Sequence, residues 1–320
     1  ATDKGYLLPT LVSATSAIVK SSRPDNLIIH ILDCGFETED WDRFTGRLRN
    51  ATGFRGELIR HTIDLAAFAG MKGWHGSLGA YARLLIPELL PDVVWCVYAD
   101  GDTLFTGDIF ELEALAPQGE TALLGWYDEA HESWMRNHYA ALGHSIPKGP
   151  YVGSGFLLMG LDWFREHEIS AACVAYLRDH PDAPVVDETA LNVCCDGHTA
   201  RLPERWGVVS DYALGGTEVP GCIHYVECCL PFKLSYRPSC GYRTVDAAWF
   251  RCARDVLGLS CREALRISPF RWALGRFQCR LMTLLAPILL RLPYIGQRLP
   301  TLRFGGNKTT RAVASRYFWQ

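Results

Sequence analysis

The sequence predicts an α/β fold built on a mainly parallel sheet. Two segments, residues 26–33 and 93–99, are continuous apolar runs without alternation, as strands covered on both faces are. Segments of helical length and period lie between the strand-like ones, which argues for βα units. The second apolar run ends in Asp100-Gly101-Asp102, and open α/β sheets bind ligands beyond the carboxyl ends of their strands.

The elements follow in chain order. Residues 9–19 have the length and period of a helix leading to the strand at 26–33. Residues 41–50 read as a helix and 57–63 as a strand. Residues 79–86 read as a helix ending at Pro87 or shortly after it, because proline cannot continue a helix interior. The 93–99 strand follows. Strands are expected at 121–126 and 152–161, and helices at 163–179 and 187–195.

The 320 residues are 48% hydrophobic with ten tryptophans, ample for one large domain or one domain plus an appendage. Twelve cysteines lie without repeated spacing or a CxxC pair, which fits a reduced cytosolic chain rather than a disulfide framework. Cys222, His224 and Cys228 have no regular zinc spacing. No apolar run reaches the roughly 18 residues that span a bilayer, and no signal peptide is visible.

The net charge of −3 conceals an asymmetry. Residues 251–320 hold 13 Lys and Arg against 2 Asp and Glu, whereas residues 1–250 hold 19 against 33. In that tail Arg262, Arg266, Arg271, Arg276 and Arg280 interleave with Leu265, Phe270, Trp272 and Phe277. Such a segment suits an anionic membrane interface, and Pro287, Pro293 and Pro300 break up any long packed helix. A helix packed on the body with a solvated arginine face is the competing reading. No recognition motif accompanies the basic residues, so no nucleic acid is expected.

Asp100 and Asp102 sit two apart on an extended segment, so they point the same way. Paired carboxylates suit a hard cation, Mn²⁺ or Mg²⁺, which in turn can hold a diphosphate. Asp-Gly is equally a hairpin turn signal, with residues 103–105 as the returning strand. These ten residues leave both readings open.

Further segments fall into one pattern. Ala1-Thr2-Asp3-Lys4-Gly5-Tyr6 opens the chain. Residues 75–84 (HGSLGAYARL) precede the acidic strand, and 151–159 (YVGSGFLLM) follow it. Then come 186–192 (VDETALN), 202–206 (LPERW) and Ile223-His224-Tyr225. In this order and spacing they resemble glycosyltransferase family 8, the retaining sugar transferases that include bacterial lipopolysaccharide galactosyl- and glucosyltransferases and glycogenin. The resemblance covers roughly residues 1–235. It implies a GT-A-type nucleotide-diphospho-sugar transferase fold, a Rossmann-like mixed sheet flanked by helices, over residues 1–250. Residues 251–320 would form a basic, membrane-associating appendage. The buried strand that relatives carry ahead of the Ala-x-Asp is expected to be missing from the chain.

The resemblance also implies roles. Asp3 looks like the carboxylate that accepts the uracil imide N–H, and Tyr6 like the ring that stacks on the base. Arg83 resembles the arginine that reaches the diphosphate or donor sugar. Asp100, Asp102 and His224 look like the metal ligands, a set compatible with Mn²⁺. Asp187 would hold sugar hydroxyls, and Glu188 would serve as nucleophile or stabilise an oxocarbenium-like centre. Gly153 and Ser154 line the donor side, and Asp128 corresponds to an acceptor-side carboxylate.

Three departures stand out. Glu188 replaces an amide, Gly153 replaces an asparagine, and Glu227 and Leu230 stand where a glycine and a phosphate-clamping lysine are usual, with Lys233 as the substitute cation. The implied activity is metal-dependent, retaining transfer of a hexose from UDP-glucose or UDP-galactose. The acceptor would be a glycan or glycolipid such as a lipopolysaccharide core, met on the cytoplasmic face of the inner membrane. The alternatives are a nucleotide-sugar hydrolase, a sugar-phosphate transferase, or a catalytically inactive UDP-sugar-binding relative.

Overall fold

The computed structural model describes residues 1–74, 76–127, 129–144, 147–209, 219–225 and 248–260, with Phe270 and Phe277. The first helix, α1 (Leu7–Lys20), is buried throughout Pro9–Ile18. Its small and apolar residues let it run through the core, and Pro9 falls in the first turn, where its missing N–H costs nothing. Strand β1 (Ile28–Asp33) pairs in parallel with β2 (Glu57–Thr62). The crossover between them is α2 (Thr38–Thr52), which ends at Gly53 in the left-handed region, φ 69°. Thr2 pairs alongside the end of β1, donating to Leu32 O and accepting from Cys34 N, both at 2.8 Å.

Residues Gly79–Leu85 form 3₁₀ turns rather than the expected α-helix, and α3 (Ile86–Leu89) follows. Pro87 therefore starts a helix instead of ending one. Its locked φ suits the first turn as well as it suits a stop.

Strand β3 (Trp95–Ala99) leads to β4 (Thr103–Phe105). Later come β5 (Leu123–Gly125), α4 (Glu129–Leu142), β6 (Phe156–Gly160), α5 (Leu161–Glu166), α6 (Ile169–Asp179) and α7 (Val186–Cys194). The chain continues through β7 (Thr199–Arg201), β8 (Val208–Val209) and β9 (Cys222–His224). One sheet has the order β3-β6-β5-β7 and another β4-β9-β8.

The architecture is the mixed α/β one implied by the resemblance. The mainly parallel sheet expected from the alternation is corrected. Among the described residues, the β3–β6, β5–β6 and β4–β9 pairings are antiparallel, and the β1–β2, β5–β7 and β8–β9 pairings are parallel. An apolar run reports burial on both faces, and β6 is buried at all five positions while running antiparallel to both neighbours.

Two further differences have local causes. The single helix expected at 163–179 is broken at Glu168, whose φ is +51°, so α5 and α6 are separate. Helix α4 was not legible because, among its described side chains, only Met135 and Tyr139 are buried apolar residues, too few to write a helical stripe.

Residues 248–251 are helical and pass into a π-helical turn, Cys252–Val256. Ala248, Trp249, Cys252, Ala253, Leu257 and Leu259 bury in one cluster with Leu11, Ile18, Phe44 and Leu48. A boundary at residue 250 thus cuts a packed element, and the body extends to about residue 259. Most of the basic stretch beyond it lies outside the described residues. Among those described, no helix is long and apolar enough to cross a membrane.

Strand β4 is pinned between α1 and β9. Ser13 Oγ lies 2.7 Å from Thr103 Oγ1, and Phe105 N donates to Ser16 Oγ at 2.9 Å. Leu104, fully buried there, is the residue that α1 and β9 close upon. Leu104→Ala is expected to cost about 2–5 kcal/mol, read as a lowered urea midpoint at unchanged slope.

Candidate functional site

The site forms where the chain passes from one sheet to another. β3 ends at Ala99, and Thr103 N donates to Asp100 O at 3.2 Å, closing a turn. Strand β4 then pairs with β9 and not with β3. The Asp-Gly turn is real, but the hairpin reading is corrected. Gly101 does not have a positive φ. It is required for clearance, because a Cβ there would meet Thr10 Oγ1 of α1 at 2.3 Å.

Backbone pairing brings three side chains together. Asp100 N donates to Gly155 O at 2.8 Å, and Tyr225 N donates to Asp102 O at 2.9 Å. The β4–β9 register sets Thr103 opposite His224. His224 Nε2 consequently lies 3.2 Å from Asp102 Oδ1 and 3.7 Å from Asp100 Oδ2. One ligand atom from each of the three falls within 4.8 Å of the others.

These residues fit a divalent cation. Asp102 Oδ1 is buried with His224 Nε2 as its ion-pair neighbour at 3.2 Å, so two carboxylates and an imidazole converge where positive charge is favoured. Burial disfavours the imidazolium, but Asp102 and Asp100 outweigh it and raise the His224 pKa, as expected where positive charge is wanted. The ring also needs room: a Cβ on Gly155 would stand 2.0 Å from His224 Cε1.

Asp100 has further partners. Tyr98 donates to Asp100 Oδ1 at 2.5 Å, and Arg83 Nη2 donates to the same oxygen at 2.9 Å. Burial pushes the Asp100 carboxyl up, but Arg83 and His224 outweigh it and hold it below its ordinary value. Tyr98 lies two residues before Asp100 on β3, so period-two geometry would have found it.

Arg83 is 4% exposed, and each of its three nitrogens has a protein partner. Besides Asp100, Nε donates to Ala80 O and lies 3.1 Å from Asp187 Oδ2, and Nη1 donates to Ser154 O. Arg83 ties Asp100 to Asp187.

Asp187 and Glu188 open α7 and are buried, at 3% and 6% exposure. Glu188 accepts from Tyr151 O–H at 2.9 Å and from Ser154 N at 2.8 Å. Burial pushes Asp187 up to about 6 and Glu188 up to about 7. Asn192, one turn on, accepts from Val152 N and donates to Val152 O, each at 2.8 Å. The 151–155 loop is thereby sewn to α7. Tyr151 and Asn192 lie within the family-like segments 151–159 and 186–192, and a sequence does not show that they bond across to one another's element.

Of the other expected site residues, Asp3 is partly exposed and accepts from Tyr6 N at 3.0 Å. Gly153 lies against Tyr127, where a Cβ would stand 3.2 Å from the ring. Asp128 and Lys233 lie outside the described residues, as do His75, Glu227 and Leu230.

A family model, glycosyl transferase family 8, matches residues 1–227. General stress protein A of Bacillus subtilis is 26% identical over 141 residues, which cover 41% of this chain and 46% of that protein. The chain thus spans somewhat under half the length of that curated relative. The crystal structure of the galactosyltransferase LgtC in complex with donor and acceptor sugar analogs superposes with a TM-score of 0.65 at 22% identity. It covers 86% of this chain and 98% of LgtC. The glycosyltransferase GlyE of Streptococcus pneumoniae gives a TM-score of 0.57 at 17% identity, covering 80% and 60% respectively. These two structural likenesses are of fold.

Gly155→Ala is expected to displace His224 and weaken Mn²⁺ binding about tenfold or more, measured by calorimetry on protein with an unchanged circular dichroism spectrum. A second expectation concerns proton linkage. The ordinary Glu188 value is 4.5 and its folded value is raised to about 7, so the folded state binds the proton more tightly. Stability from this group is therefore full below 4.5 and declines as pH rises to about 7. Glutamine does not titrate: its oxygen can accept from Ser154 N–H, and its amide N–H can donate to Tyr151 Oη in a reversed bond. Metal-free Glu188→Gln should lose roughly 1–3 kcal/mol of that decline relative to wild type, in urea unfolding between pH 5 and 8.

Proposed function

The chain belongs to glycosyltransferase family 8, and on that premise we propose that it is a metal-dependent retaining hexosyltransferase using UDP-glucose or UDP-galactose. The observation that carries this reading is the Asp100–Asp102–His224 cluster, in which one ligand atom from each residue lies within 4.8 Å of the others. A divalent cation, Mn²⁺ or Mg²⁺, held there would supply positive charge to the departing diphosphate.

The chain's own residues divide the remaining work. Asp3 and Tyr6 form the base end of the donor site. Arg83 is a positioning residue: it fixes Asp100 and Asp187 in one arrangement and offsets their charge. Asp187, with Ser154 and Gly153 beside it, faces the donor sugar. Glu188 lies next to the reacting carbon, and its Tyr151 and Ser154 contacts fix its orientation. With its value near 7, it is available as a carboxylate above neutrality, in line with a nucleophilic or charge-stabilising part.

The acceptor we propose is a glycan or glycolipid of the lipopolysaccharide-core kind, with Asp128 on the acceptor side and Lys233 beside the diphosphate. Two observations support it: LgtC, similar in fold, was crystallised with donor and acceptor sugar analogs, and the stretch after residue 259 is rich in arginine, leucine and aromatics. That stretch would hold the enzyme peripherally on an anionic membrane surface, at the cytoplasmic face of the inner membrane. Phe270 and Phe277 within it are exposed at 74% and 63%.

The test is a donor screen for Mn²⁺-stimulated UDP release with and without a glycan acceptor. Asp102→Ala should lower release at least about a hundredfold. Release that ignores metal, or survives that substitution, overturns the reading.

A further inference from the structure

Helix α4 turns its inner face on one loop. Glu132, Met135, Arg136 and Tyr139 stand at i, i+3, i+4 and i+7, which is one side of a helix. Met135 and Tyr139 bury against Tyr151 in a cluster of their own, with the Tyr139 and Tyr151 rings edge-on at 6.0 Å. The polar pair on that face grips the same loop. Glu132 Oε1 accepts from Tyr151 N at 3.4 Å and from Arg136 Nη2 at 2.7 Å. Arg136 also donates to Gly149 O at 2.6 Å and to Pro147 O. Arg201 of β7 completes the clamp: one nitrogen donates to Glu132 Oε2 and the other to Tyr127 O at 3.2 Å. The grip does not end at the backbone. The phenol of Tyr151 donates to Glu188 Oε1 at 2.9 Å, and both residues are buried. A buried ion pair is a weak source of stability over apolar packing, but two guanidiniums on one carboxylate fix its direction.

We propose that Glu132 is a positioning residue for the transfer step: held by Arg136 and Arg201, it sets Tyr151, and Tyr151 sets the carboxylate of Glu188 against the reacting carbon. The inference rests on the hexosyltransferase reading and adds to it a path from α4, the helix that follows Asp128, to the reacting centre. The contacts described for the clamp run to residues 127, 147, 149 and 151, and none runs to Asp3 or to the Asp100–Asp102–His224 cluster. Its loss therefore falls on turnover and not on donor binding. Misplacement of a reacting group by about an ångström is enough to slow a reaction strongly, even when the altered residue touches no substrate.

The test is UDP release from UDP-glucose or UDP-galactose with Mn²⁺ and a glycan acceptor. Glu132→Gln removes the charge and keeps an oxygen for the Tyr151 N–H. It should lower kcat about ten- to a hundredfold and leave the donor KM and the calorimetric affinity for UDP with Mn²⁺ within about twofold of wild type. That retained affinity, with an unchanged circular dichroism spectrum, identifies a folded variant. Tyr151→Phe keeps the ring and the backbone N–H but lacks the hydroxyl that orients Glu188. In that background Glu132→Gln should lower kcat by less than about twofold more, because the two residues act along one path. Arg201→Gln loosens the clamp at an exposed position and should give the same split at about three- to tenfold, which covers the case in which Glu132→Gln does not fold.

Wild-type kcat in folded Glu132→Gln or Arg201→Gln refutes the positioning role while the donor reading stands. So does a loss confined to KM, or a full multiplicative loss in the Tyr151→Phe background. Wild-type protein that releases no UDP from either donor overturns the donor reading and the proposal with it.

Discussion

One buried guanidinium organises the centre of this molecule. Arg83 contributes a single positive charge between Asp100 and Asp187, and its other donors meet backbone carbonyls of Ala80 and Ser154. Burial of so many ionisable groups is tolerable only because each has a partner of opposite charge or a hydrogen bond. Remove the guanidinium and two carboxylates lose their compensation, the 151–155 loop loses an anchor, and the acidic pair gains a proton or swings away. The shape of the site is therefore set by electrostatic necessity before any substrate arrives.

Around that charge the fold acts as a set of registers. β3 against β6 fixes Asp100 through Gly155 O, and β4 against β9 fixes Asp102 and His224. The glycines Gly101 and Gly155 are absences of side chain that let Thr10 and His224 occupy the same space. The acidic residues of α7 reach the centre because Asn192 and Glu188 bond the loop that carries Ser154.

Much of this was legible in the residues. Continuous apolar runs located β1 and β3, and helical period located α1, α2 and α7. The spacing of Asp100 and Asp102, with His224 brought in by the family resemblance, named the cluster the fold assembles. Strand direction was not legible, because burial and not polarity of pairing dictates an apolar run. Helix α4 was hidden by its polar surface, and Arg83's true partners were hidden because a sequence does not say which of several carboxylates a guanidinium will choose. The contacts of Tyr98 and Tyr151 were not legible for a simpler reason: an aromatic in a strand or beside one reads as core, and its hydroxyl has no signature.

The passage of the chain between sheets has a mechanical consequence. Asp100 follows β3 and bonds the residue before β6, whereas Asp102 precedes β4 and bonds the residue after β9, the strand that ends in His224. A cation at their meeting point is a rivet through two separate plates. Occupancy would stiffen the seam between them, so that the scaffold's rigidity arrives together with its ligand rather than being built in beforehand.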